Sequence, residues 1–179
     1  MASRRDFAAL RIISATKRKA ERDGEDVLFE LSGGDDYFEN AIRAIKNSGE
    51  TTIICMMIIV VVLVVLFLFA ILNPNINSSF DSFVKLLSNI ATPFIIFGLP
   101  NIFFSYKVKT LSITPVAILT FTIFSLILNL LCFFSIVTII ASVFNIIALT
   151  KYSAYKEWFY SIDVNYYREK ANANKIKRQ

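Results

Sequence analysis

Three stretches without a single Asp, Glu, Lys or Arg, at residues 51–80, 86–106 and 110–150, dominate this chain of 179 residues. An α-helix needs about 20 apolar residues to cross a hydrocarbon layer of about 30 Å. The three runs, of 30, 21 and 41 residues, meet or exceed that length. Composition agrees: 55% of the residues are hydrophobic, 17 are Phe and only 18% are charged, a balance foreign to ordinary soluble domains. The expected fold class is an all-α integral membrane protein.

The first span, 51–72, reads TTIICMMIIVVVLVVLFLFAIL and is apolar on every face, unlike a surface helix with one polar side. Asn73-Pro74 ends it, and a short polar connection follows through Asp81. The second span, 83–105, holds Pro93 and Pro100 with Gly98 between them. Each interior proline removes a backbone hydrogen bond, so these three residues predict a hinge, with Thr92 and Asn101 placed to satisfy freed carbonyls.

The last run is too long for one crossing. A helix over 111–150 would be about 60 Å long, twice the hydrocarbon thickness. Division at Asn129, its most polar member, gives spans 111–128 and 131–150, and asparagine tolerates the left-handed backbone of a turn. Charge bias points the same way, because cytoplasmic flanks carry the excess of Lys and Arg. Nine basic residues lie in 1–50, two in the connection 106–110 and seven in 151–179, while 74–82 has none. Four spans put every basic segment on one side, with both termini cytoplasmic (or facing a matrix).

Outside the spans the chain alternates in sign. Residues 1–22 carry seven basic residues against Asp6 and Glu21. Phe7, Leu10, Ile12 and Ile13 form a rough helical stripe. The segment reads as a basic amphipathic helix on an anionic surface, as a solvated arm, or as a mitochondrial presequence. Residues 23–50 reverse the sign, with eight acids against Arg43 and Lys46. Alternation at 27–31 suggests a short extended piece, Ser32-Gly33-Gly34 a break, and Asp35 or Asp36 the cap of an amphipathic helix over 36–48 that enters the membrane after Gly49. The domain division is therefore 1–50, 51–150 and 151–179.

In the C-terminal segment Tyr152, Tyr155, Phe159, Ile162 and Tyr166 recur at helical spacing, beside Trp158. Tyr152, Tyr155, Trp158 and Phe159 are the expected residues of an interfacial helix; docking of the helix on the acidic 23–50 segment is the competing reading. Within the fourth span Ser135, Thr138, Ser142 and Asn145 step by helical spacing and form a polar stripe, read either as interhelical packing or as a pore lining.

Catalytic chemistry is not visible. The chain has no histidine, and Cys55 and Cys132 lie in apolar runs, so no zinc or haem constellation can be assembled from the usual ligands. Gly33-Gly34 beside Asp35-Asp36 is better read as a helix-start turn than as a metal site. No ionisable residue lies deep in a span, contrary to the pattern of ion-coupled pumps. Asn77-Ser78-Ser79 matches a glycosylation acceptor on the non-cytoplasmic side. The expectation is a non-catalytic accessory or scaffolding subunit of a larger membrane complex, with no cofactor, whose partners are membrane lipid, other subunits or a second copy, and not nucleic acid. The alternative is a small oligomeric channel or transporter component built around the polar stripe.

Overall fold

A computed structural model describes residues 3–72, 94–131 and 136–162, with residues 85, 88, 89 and 92. Among the described residues every regular element is helical, with no strand. Loop 74–82, Pro93, Cys132, Ser135 and Tyr166 lie outside the described residues.

Local signals in the sequence set the first three helices. Ser3 opens α1 (Arg4–Asp23) with a capping box: its hydroxyl accepts from the Asp6 amide at 3.2 Å, and the Asp6 carboxylate accepts from the Ser3 amide at 2.7 Å. Gly24, at φ 73°, closes the helix in the left-handed conformation that glycine adopts without strain. The extended piece expected at 27–31 is instead a short helix, α2 (Val27–Ser32). Asp26 caps it by accepting from the Leu28 amide at 2.8 Å, and Gly33 terminates it at φ 68°. Capping at both ends outweighs the alternation of apolar residues between them.

Asp35 then caps α3 (Asp36–Leu72), its carboxylate accepting from the Tyr37 amide at 2.9 Å. The separate helix expected over 36–48 merges with the first apolar run into one helix of 37 residues. Gly49 does not break it, because this glycine is a contact point between two helices. A Cβ there would lie 2.5 Å from the Ser105 carbonyl oxygen and 2.6 Å from the Lys109 nitrogen.

A π-helical turn (Phe94–Gly98) leads into α4 (Leu99–Thr110). The expected connection at 106–110 is thus the last turn of α4. The reversal falls at 111–114, with Leu111 in the left-handed region at φ 52°. Pro115, whose missing N–H costs nothing at a helix start, begins α5 (Pro115–Leu131). Asn129 lies inside α5 and not at the turn expected there; its side chain is engaged in the interior, as described below. The last helix, α6 (Ile136–Ser161), continues well past the end of the uncharged run.

Helix α3 packs against α4 and α6, and α5 packs against α4 and α6, while α1 and α2 pack on each other and α2 on α3. Two helical segments are long and apolar enough to cross a membrane by length and composition, Asp36–Phe69 and Ile136–Ser161; Pro115–Leu131 is apolar but shorter. Beyond the uncharged runs, Ala9 and Ile13 of α1, Ile42 and Ile45 of α3, and Tyr155, Trp158 and Phe159 of α6 share one apolar core. This cluster holds the charged first part of the chain against the ends of the long helices. At about 25 cal/mol per Å² of apolar surface removed from water, such residues supply the main force fixing that head.

Candidate functional site

Polar side chains run through the interior of the long-helix bundle, beside buried apolar groups such as Met56, Ile118 and Ala141. Ser48 on α3 donates its hydroxyl to the Asn145 side-chain oxygen on α6. Asn145 Nδ2 donates to Ser125 Oγ on α5 at 3.0 Å. The Ser125 and Ser105 hydroxyls meet at 3.4 Å, and Ser105 on α4 approaches the Asn101 side-chain oxygen at 3.5 Å. Asn101 Nδ2 then donates to Asn129 Oδ1 on α5 at 2.6 Å. Six neutral side chains from four helices thereby form one continuous polar chain, every member at most 2% exposed.

The arrangement follows from helical spacing. Asn101 and Ser105 on α4, and Ser125 and Asn129 on α5, are each four residues apart and share a face. Around the same helices the outside is apolar: Val61, Val65, Phe103, Val116, Ile136 and Ile146 are all at least half exposed. Polar atoms inside and Val, Ile and Phe outside reverse the order of a water-soluble bundle.

Not every polar atom in this interior is paired. Thr52 Oγ1, Thr122 Oγ1 and Asn129 Nδ2 are buried without a hydrogen-bond partner, each a source of desolvation cost. Unpaired groups aside, the chain offers only amides and hydroxyls, which exchange hydrogen bonds but do not titrate in the ordinary pH range. It can orient helices or hold a neutral polar group. It contains no acid or base to drive a proton transfer.

The polar stripe expected on a fourth span lies on α6 and faces this interior as far as it is described. Thr138 and Ser142 are buried, Ser142 donating back to the Thr138 carbonyl at 2.8 Å, and Asn145 joins three helices. Of the hinge residues, Gly98 is buried at the end of the π turn and Pro100 is exposed in the first turn of α4, where proline is accommodated. Asn101 was expected to satisfy backbone carbonyls freed by the prolines; its amide is bound to Asn129 instead. Ser48 and Ser105 escaped the sequence reading, because Ser48 precedes the apolar run and Ser105 sits at the edge of its own. Their signal was positional, Ser105 standing one turn from Asn101.

The aromatic residues of α6 depart from the interfacial expectation. Tyr155, Trp158 and Phe159 are at most 3% exposed, and only Tyr152 among the four is half-buried. Trp158 Nε1 donates to the Leu31 carbonyl at 2.8 Å, tying α6 to α2. Burial among these apolar groups pushes the Tyr155 hydroxyl far above its ordinary pKa, with a smaller contribution from Tyr152. These rings are core residues of the head because α1 and α2 cover the face they would otherwise present to lipid. A cleft of about 300 Å³ remains beside them, between Ile12, Thr16, Leu31, Phe38, Trp158 and Ile162.

The α1 helix is likewise committed. Of its apolar stripe Ile13 is buried, Leu10 and Ile12 are half-buried and Phe7 is exposed, and Ala9 and Ala20 are buried on the same side of the helix as Ile13. Among the described residues no group of three or more His, Cys, Asp or Glu side chains converges. Comparison with protein-family models, with curated proteins and with solved structures finds no match to this chain.

Proposed function

We propose that the chain is a four-span integral membrane protein with both termini on the cytoplasmic (or matrix) side, acting without catalysis as an accessory or scaffolding subunit of a larger membrane complex. The observation that carries this reading is the inverted polarity of the bundle: six hydrogen-bonded polar side chains in the centre and exposed Val, Ile and Phe around them. In water such a bundle would expose its apolar rim at great cost, whereas in lipid the rim is solvated and the polar chain binds helix to helix. The spans are the uncharged part of α3 from residue 51, the uncharged run 86–106 that ends in α4, α5 (Pro115–Leu131) and the uncharged part of α6, 136–150. Engagement of Asn145 with α3 and α5 favours a packing role for the fourth-span stripe over a pore between copies.

Sidedness is tested by cysteines introduced one at a time at Asn77 and at Lys156, with the native cysteines replaced by alanine. Impermeant maleimide on intact cells or sealed vesicles should label the first from outside and the second only after permeabilisation. External labelling at Lys156 would exclude the topology. Purification in mild detergent, followed by mass spectrometry of co-purifying chains, tests the subunit role. A lone homo-oligomer that conducts ions in a planar bilayer would overturn it.

A further inference from the structure

We infer that the membrane-proximal end of α1, together with the last turn of α4, forms a binding surface for the phosphates of anionic lipids in the leaflet next to the head. The inference rests on the membrane reading above. Two contacts orient α1. Lys17 Nζ donates to the carbonyl of Thr110 at 3.1 Å, and Thr110 is both the end of α4 and the start of the uncharged run 110–150. Arg5, at the other end of α1, donates to the carbonyl of Tyr160, ten residues beyond that run. On α6 ten helical residues rise about 15 Å. The Lys17 end of α1 is therefore held at the level where headgroups begin, and the Arg5 end is held away from it.

Arg18 and Arg22 follow Lys17 on the exposed side of α1, one turn apart and opposite Ala9, Ile13 and Ala20. Lys107 reaches over the exposed ring of Phe103, with its ammonium 5.5 Å from the ring centroid, next to an exposed Tyr106. Cations beside exposed aromatic rings at the end of an apolar helix match the chemistry of a headgroup layer. Lys17 is half-buried and bound to the Thr110 carbonyl of another helix, so it positions α1; Arg18, whose Nε donates to the Ser14 carbonyl of its own helix at 3.2 Å, Arg22 and Lys107 are left to meet phosphate. Arg22 has a carboxylate neighbour, Asp23 at 3.2 Å, while Lys109 is engaged by Glu50 at 3.3 Å. Guanidinium groups bind phosphate through paired N–H donors, which makes two arginines one turn apart a fitting receiver.

The test uses the full chain in mild detergent, with native mass spectrometry of lipid adducts on addition of phosphatidylglycerol or of phosphatidylcholine with identical acyl chains. The wild-type protein should retain phosphatidylglycerol preferentially, and the preference should fall as salt rises. Arg18→Gln/Arg22→Gln/Lys107→Gln should reduce it at least about tenfold, because each basic residue near an anionic surface adds to the attraction. Arg4→Gln/Arg43→Gln/Lys156→Gln removes the same charge away from this end of α1 and should leave it unchanged. Equal retention of the two lipids, or equal losses in the two variants, would overturn the inference. Carbonate extraction of membranes containing the wild-type chain separates the two levels: release into the soluble fraction refutes the membrane reading itself, while retention without lipid preference refutes only the lipid surface.

Discussion

Asn101 and Asn129, 28 residues apart in sequence, are joined by a 2.6 Å hydrogen bond between fully buried side chains. The bond links α4 to α5 at one end of the polar chain. Replacing either asparagine by leucine strands its partner's polar atoms in a closed interior and should cost about 1–2 kcal/mol. The double replacement removes both halves and should cost less than the sum of the singles. Thermal unfolding in detergent of the wild type, both singles and the double measures the coupling; strict additivity would mean that the bond contributes nothing to stability.

Gly49 marks where α3 and α4 approach through their backbones. Alanine would ordinarily favour a helix over glycine by about 1 kcal/mol. Here its Cβ would fall 2.5 Å from the Ser105 carbonyl oxygen, which belongs to the backbone and cannot rotate away. Gly49→Ala should therefore destabilise the bundle, by about 1–3 kcal/mol as for other overpacked sites. It should also loosen the nearby Glu50–Lys109 pair. A higher melting temperature for this variant would show that the helices can separate freely.

Trp158 adds to the apolar core of the head one hydrogen bond, from its indole N–H on α6 to α2. Trp158→Phe keeps an aromatic ring and removes the donor to the Leu31 carbonyl, at a cost of about 1 kcal/mol. The expected outcome is local: faster proteolytic cutting around Gly33 and Gly34, with the long helices unaffected. Cutting at an unchanged rate would assign α2's position to apolar contacts alone.

Lys17 predicts a pH effect with a definite sign. Desolvation lowers its pKa in the folded protein from 10.5; Glu21 opposes that change and Lys46 adds to it. The folded state thus binds this proton less tightly than the unfolded state. The resulting penalty is present in full below the folded pKa and disappears as pH rises toward 10.5. Wild-type stability should rise relative to Lys17→Met across that alkaline interval. Parallel stability curves for the two proteins as the pH rises toward 10.5 would contradict the assignment.

The helical class of this chain, and the presence in it of segments long and apolar enough to cross a bilayer, are properties of the sequence alone. They depend on run length and on the absence of charge, which are local and additive along the chain. The capping residue of α3 was legible for the same reason: Asp35 acts on an amide two residues away. Helix ends were less so, because the bundle carries α3 unbroken through Gly49 and α4 through Lys107 and Lys109. The meeting of Ser48 with Asn145, and of Asn101 with Asn129, was decided only by tertiary structure, since the rotation of each helix about its axis is set by all its neighbours together. The same holds for Tyr155, Trp158 and Phe159. Their spacing announced an amphipathic face, but lipid and protein satisfy such a face equally well, and only the folded position of α1 and α2 determines which of them covers it.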